Sequence, residues 1–83
     1  MLTDKHYLLY YDELKLLKQE DYLTVKEYIY SHLNLNRTSS NLCIHRNTLN
    51  YRLNKIADVL NIDFKDDKQV SNLLLTLKLS DKI

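Results

Sequence analysis

The chain has 83 residues, of which 45% are hydrophobic and 28% are charged, and its net charge is +1. This length predicts one small domain, and none of its apolar runs is long enough to span a membrane. A single cysteine, Cys43, excludes an internal disulfide, and the first residues lack the apolar run of a secretory signal. These features favour a cytoplasmic protein.

The chain contains no glycine and no proline. Tight β-hairpins and phosphate-binding loops depend on glycine, so both are disfavoured. Asparagine, with eight copies, is the remaining residue suited to tight turns. The composition therefore predicts an all-α fold, a small helical bundle of about five helices joined by short turns.

Two helices are predicted in the first half of the chain. The first covers residues 4–18, where tyrosines and leucines recur at three- and four-residue steps and give a wide apolar surface. The second covers residues 22–32, and its N-cap is assigned to Asp21 or Thr24, because Thr24 and Glu27 have the spacing of a capping box. We expect the first helix to pack on the domain, on a second copy or on an upstream domain.

A third and a fourth helix follow. The third is short, covering residues 37–42, with Asn36 as its N-cap. The fourth covers residues 46–60 and ends before Asn61, a residue that tolerates the left-handed geometry of a helix stop. It has the clearest pattern, one narrow apolar stripe along four turns. That stripe consists of Leu49, Leu53, Ile56 and Leu60.

A fifth helix is predicted over residues 67–79, where Asp66 and Gln69 have capping-box spacing. No repeat, low-complexity tract or linker interrupts the chain. We therefore expect residues 1–83 to form a single domain.

Charge is unevenly distributed along this chain. No acidic residue lies between Glu27 and Asp58, whereas that segment carries four basic residues: Arg37, Arg46, Arg52 and Lys55. The rest of the chain holds eight basic residues against eleven acidic ones. A local positive face on an acidic body is typical of compact DNA-binding domains.

Residues 36–60 have the features of a helix-turn-helix, in which a short helix, a turn of about three residues and an amphipathic second helix follow one another. Ser39 provides the small residue at the helix crossing. Residues 43–45 form the turn, and Ile44 is the apolar side chain that anchors it. This pattern predicts that residues 45–55 enter the DNA.

Helix geometry indicates which side chains of the fourth helix face outward. At about 100° per residue, Asn47, Tyr51 and Asn54 lie opposite the apolar stripe, with Asn50 and Lys55 beside them. Asparagine can bind adenine through two hydrogen bonds, and arginine can bind guanine in the same way. The sequence therefore predicts base contacts from the outward face of this helix.

Other residues are better placed for DNA phosphates than for bases. Thr48, Arg52 and Lys55 lie toward the edges of the outward face. The free backbone amides at the starts of the third and fourth helices are also suited to phosphate, which adds Asn36 and Arg37 to the prediction.

Residues 44–56 read IHRNTLNYRLNKI. This stretch closely resembles the HRNTL-x-YRL signature in the C-terminal helix-turn-helix domain of PucR-type bacterial transcriptional regulators, a group that includes purine-catabolism and sugar-diacid regulators. The resemblance extends over about residues 22–80. The architecture is more distantly similar to the Fis-type helix-turn-helix.

The resemblance implies that the domain binds a symmetric or repeated site as a homodimer. It also implies that six residues lie at or beside the DNA: His45, Arg46, Asn47, Thr48, Tyr51 and Arg52. Together with the residues placed by helix geometry, the predicted DNA-binding set is Asn36, Arg37, His45, Arg46, Asn47, Thr48, Asn50, Tyr51, Arg52 and Lys55. Residues 21–83 then form the DNA-binding region, and residues 1–20 form the packing or dimer helix.

The chain also departs from the family pattern. Leu33 and Leu35 flank a turn where the family often has glycine, so we expect a differently shaped turn there. Regulators of this kind usually carry a long sensor region before the DNA-binding domain. The chain is accordingly expected to be either a fragment of a larger regulator or a free-standing DNA-binding domain.

Other functions have less support. Cys43 and His45 lack a second pair with metal-ligand spacing, and no cofactor motif or nucleophile–base pair is recognisable, so neither a metal, a cofactor nor catalysis is predicted. The alternative function is a helical protein-interaction module derived from such a domain. The wide apolar first helix and the near-zero net charge favour that alternative.

Overall fold

Five helices and no strands make up residues 9–80, the part of the chain that the computed structural model describes. In chain order they are α1 (Tyr11–Lys15), α2 (Gln19–Tyr30), α3 (Leu35–Leu42), α4 (Arg46–Leu60) and α5 (Asp67–Ser80). The predicted small all-α bundle is confirmed. No helix in residues 9–80 is long and apolar enough to cross a membrane.

The hydrophobic core lies between α2, α4 and α5. It contains ten buried residues, with the apolar stripe of α4 at its centre and Val25, Leu73 and Leu77 fully buried against it. The ring of Phe64, in the segment between α4 and α5, packs edge-on against Tyr28 of α2 with ring centroids 5.2 Å apart. Burying this stripe fixes the rotation of α4 about its own axis.

Helix α4 begins and ends at the predicted residues, and α5 is one residue longer than predicted. The cap of α5 is Asp66, whose carboxylate accepts from the backbone amides of Lys68 at 3.0 Å and Gln69 at 3.3 Å. The Gln69 side chain donates to the same carboxylate, and this bond lowers the pKa of Asp66 below its ordinary value. The predicted pairing of Asp66 with Gln69 is confirmed.

The predicted starts of α2 and α3 are wrong. Helix α2 runs from Gln19 to Tyr30 rather than over residues 22–32, and neither Asp21 nor Thr24 is its cap. Thr24 lies inside the helix, and its hydroxyl donates to the carbonyl of Glu20 at 2.7 Å. Helix α3 is capped by Asn34 rather than Asn36, because the Asn34 side chain accepts from the amide of Arg37 at 2.9 Å.

The first helix is shorter than predicted within the described residues. Of residues 9–18, Tyr11–Lys15 are helical, and residues 4–8 of the predicted span lie outside the described part. Tyr10 precedes the helix in a left-handed conformation, with φ of 68°. Leu14 packs into the core, and the hydroxyl of Thr76 on α5 donates to the carbonyl of Leu9 at 2.6 Å. These contacts hold α1 against the domain.

The closing turns of three helices contain a left-handed residue, although the chain has no glycine. His32 (φ 57°), Cys43 (φ 57°) and Asn61 (φ 52°) follow α2, α3 and α4, so the predicted helix stop at Asn61 is confirmed. In each case two backbone hydrogen bonds close the last turn, for example from Ile44 to the carbonyl of Ser39 at 3.0 Å. Leu33 is also left-handed, with φ of 62°.

The turn after α2 therefore contains two consecutive residues, His32 and Leu33, in the left-handed region that favours glycine. For a residue with a Cβ, this left-handed conformation is less stable than the right-handed one by about 1 kcal/mol. The turn between Leu33 and Leu35 thus has the left-handed geometry that glycine favours, and its difference in shape from the family's turn stays a prediction.

We expect His32→Gly to raise the free energy of unfolding by about 0.5–1 kcal/mol, because His32 is exposed and left-handed, and glycine removes its Cβ. Urea denaturation followed by circular dichroism measures the change. Ser71→Gly, on the exposed face of α5, is the control and is expected to lower stability by about 0.5 kcal/mol. A loss of stability in both variants would contradict the strain assigned to His32.

Candidate nucleic-acid interface

Helices α3 and α4 form the helix-turn-helix, with residues 43–45 as the turn between them. Ser39 is buried on α3, which contacts both α2 and α4, and its small side chain permits the close approach. Ile44 is partly buried against the core. Cys43 adopts the left-handed conformation that reverses the chain, a role that sequence reasoning gave only to Asn61. The predicted turn and its apolar anchor are confirmed.

The outward face of α4 is polar and accessible. Its buried stripe is the one predicted, and the remaining positions in its first two turns are exposed: Arg46, Asn47, Thr48, Asn50 and Tyr51. Tyr51 has 69% of its surface exposed, so it does not pack across the helix pair. Asn54 and Lys55 continue this exposed face.

His45 is the N-cap of α4. Its imidazole Nδ1 accepts a hydrogen bond from the backbone amide of Asn47 at 3.0 Å. Since a nitrogen that accepts carries no proton, the neutral ring has its proton on Nε2. His45 is exposed, so this Nε2–H is a donor available at the start of α4.

The start of α3 lies at the other end of the turn. Asn36 and Arg37 are both exposed in its first helical turn. The cap by Asn34 satisfies the amide of Arg37 and leaves the first two amides of the helix without a helical acceptor. The interface thus contains two helix starts, each with free donors.

Arg52 of α4 forms polar contacts with two residues of α2. Its guanidinium forms an ion pair with the carboxylate of Glu20 and donates a long hydrogen bond, 3.4 Å, to the hydroxyl of Thr24. The Arg52 side chain is 21% exposed, whereas that of Glu20 is 62% exposed. The charge of Arg52 is therefore already paired within the domain.

Lys55 is paired in the same way. Its ammonium lies 3.1 Å from a carboxylate oxygen of Asp21 and 5.7 Å from the centre of the Tyr51 ring. Asp21 is buried, with 6% of its side chain exposed, and its other carboxylate oxygen has no hydrogen-bond partner. Lys55 itself is 43% exposed.

The two acids of α2 are functional candidates that sequence reasoning missed. Glu20 and Asp21 lie about thirty residues before their partners, and only the tertiary packing of α2 on α4 brings them together. The adjacent acidic pair was visible in the sequence, but nothing local connected it with α4. The positive segment that stood out by charge is thus partly neutralised in the folded domain.

Lys65 is a further basic residue outside the predicted set. It follows α4 in the chain and lines a cleft together with Asn50 and Asn54 of the outward face. Among residues 9–80, no group of His, Cys, Asp or Glu side chains could hold a metal ion.

The helix-turn-helix region corresponds to a known protein family. The chain matches the PucR C-terminal helix-turn-helix domain over residues 22–79. It is 41% identical over 56 residues to the DNA-binding transcriptional activator AdeR of Bacillus subtilis. The aligned region covers 68% of this chain and 13% of AdeR. It is 34% identical over 56 residues to the purine catabolism regulatory protein of the same organism, covering 68% of this chain and 10% of that protein.

The chain thus spans only a small part of the length of these relatives. No solved structure matches the chain significantly. The family match begins within α2 and continues through most of α5, including the whole helix-turn-helix. The chain therefore belongs to the PucR C-terminal helix-turn-helix family, whose members are DNA-binding domains of transcriptional regulators.

Proposed function

We propose that this domain binds duplex DNA sequence-specifically, with α4 in the major groove, and so controls transcription. The observation that carries the proposal is the division of α4 into a buried apolar stripe and an exposed face with arginine and asparagine side chains. A helix of this kind fits the width of the major groove, and both side-chain types form paired hydrogen bonds with bases.

Base contacts are assigned to the first two turns of α4. Arg46, Asn47 and Asn50 are exposed on helical positions that project away from the core. In helix-turn-helix domains the N-terminal residues of the second helix contact base edges. Tyr51 is exposed beside them and can contact a base or a phosphate through its hydroxyl.

Phosphate contacts are assigned to the edges of the face. Asn36 and Arg37 lie at the start of α3, and His45 and Thr48 lie at the start of α4. Helix N-termini attract anions because their free amides and the helix dipole both favour negative charge. Arg52 and Lys55 complete the set, at the edge that borders α2.

The remaining assignments concern the assembly. Residues 21–83 are proposed as the DNA-binding region of a cytoplasmic homodimer, and residues 1–20 as a packing or dimer segment. Exposed leucines on either side of α1, Leu16 at 75% and Leu9 at 55%, support this role for the segment. The same leucines favour the second candidate function, a protein-interaction module.

Arg46→Ala is expected to weaken binding to a specific duplex by about 1–3 kcal/mol, since a bidentate contact to guanine is lost. The specific duplex is first selected from a random-sequence pool, and fluorescence anisotropy then gives the dissociation constants. Lys78→Ala, which removes the same charge from an exposed position of α5, is the control and should change affinity little. Equal affinities of Arg46→Ala and the parent would remove Arg46 from base recognition.

Two substitutions of His45 separate its role as a cap from its role as a donor to DNA. His45→Ala is expected to lower the free energy of unfolding by about 1 kcal/mol, because the N-cap is lost. His45→Asn keeps a good N-cap but lacks the outward Nε2–H, so we expect parental stability with weaker DNA binding. Thermal denaturation and anisotropy measure the two effects. Parental DNA affinity in His45→Asn would leave His45 as a cap alone.

The proposed homodimer predicts how many copies of the chain bind one duplex. On a duplex with two symmetric half-sites, two copies of the chain are expected to bind cooperatively, as in dimeric helix-turn-helix proteins. Sedimentation velocity with labelled duplex gives the stoichiometry. One copy per two-site duplex at saturating protein would contradict the homodimer, and absence of DNA binding even at low salt would favour the protein-interaction module.

A further inference from the structure

We infer that Glu20 is an intramolecular competitor of DNA phosphate: its carboxylate occupies the guanidinium of Arg52, and DNA must displace it. The inference rests on the proposed DNA-binding function and adds to it a contact that limits affinity. Both Glu20 and Asp21 lie outside residues 22–79, the segment that matches the family.

The two ion pairs at this edge differ in one decisive property, the burial of the acid. Asp21 is buried and has an oxygen without a partner, so separating it from Lys55 would leave an unpaired charge in the domain. Glu20 is largely exposed, and water can solvate its carboxylate as soon as it leaves Arg52. The pair between Glu20 and Arg52 is therefore the exchangeable one.

A DNA phosphate can replace the Glu20 carboxylate as the partner of the Arg52 guanidinium. It offers Arg52 the same paired acceptor oxygens as a carboxylate, and arginine binds both groups in the same geometry. An ion pair whose carboxylate is largely exposed contributes little net free energy, so displacing the Glu20 carboxylate is a small barrier to binding. The bond from Arg52 to Thr24 keeps the guanidinium at the edge of α4 while the acid is exchanged.

The position of Arg52 on α4 makes the exchange relevant to DNA. Arg52 lies one residue after the exposed Tyr51 and one turn after Thr48, which is assigned to phosphate. A DNA strand along this edge would approach Glu20 as well as Arg52. The carboxylate would be repelled by the strand, so binding and release of Glu20 are coupled.

Glu20→Gln tests this coupling, because it removes the competing charge and keeps the size of the side chain. We expect the variant to bind the selected duplex about threefold to fivefold more tightly at low salt, with a gain that shrinks as salt screens the exposed pair. Glu13→Gln, at an exposed position of α1, makes the same change in net charge and is the matched control. The control should change affinity by less than about 1.5-fold, because salt screens an exposed charge that contacts no basic group of α4.

A double-mutant cycle assigns the effect to Arg52. In an Arg52→Gln background, Glu20→Gln should give a clearly smaller gain than in the parent, because no guanidinium remains to be released and only the repulsion between the carboxylate and the strand is removed. An equal gain with and without Arg52 would show general charge repulsion and overturn the inference. Circular dichroism melts verify that each variant is folded.

A second measurement needs no substitution. The side-chain carboxyl 13C signal of Glu20 is followed by NMR while duplex DNA is added to the parent chain, and displacement is expected to move it toward the position of a solvated glutamate. An unmoved Glu20 signal under saturating DNA overturns the inference and leaves the proposed function intact. Failure of the parent to bind DNA at any salt concentration overturns both.

Discussion

Burial of the apolar stripe of α4 is the constraint on which the rest of this structure depends. Leu49, Leu53, Ile56 and Leu60 are all buried, so α4 has only one favourable rotation about its axis. Turning the helix by one residue would expose large aliphatic side chains, each worth about 1.5–3 kcal/mol of burial. The same constraint that stabilises the core therefore selects which polar side chains reach the outside.

The caps set where each helix of the interface begins and ends. His45 caps α4 and Asn34 caps α3, so the cap of α4 is itself part of the proposed DNA-binding surface, whereas that of α3 lies just before it. The helix ends rely on left-handed His32, Cys43 and Asn61 in place of glycine. Conformational strain at these turns, of about 1 kcal/mol for a residue with a Cβ, is borne because the flanking helices are fixed by the core.

The fold could be predicted from the sequence where periodicity and capping coincide. Helix α4 was correct at both ends, because a long apolar stripe ran between a sharp turn and Asn61. The start of α3 was wrong because Asn34 and Asn36 are equally good caps by residue type, and only the backbone geometry distinguishes them. The start of α2 was wrong because Thr24 bonds back to Glu20 within the helix instead of capping it.

The candidate site shows the limit of a charge count along the sequence. Four basic residues without an intervening acid predicted a strongly positive face. In the folded domain, Arg52 and Lys55 are paired with acids of α2, so only Arg37 and Arg46 of that segment present charges with no acid bound to them in residues 9–80. The proposed recognition therefore relies more on directed hydrogen bonds from Arg46 and the asparagines than on a broad positive potential. Such a surface discriminates between sequences better than it attracts DNA in general, because non-specific affinity comes mainly from neutralised phosphates whereas base-edge contacts carry the sequence information.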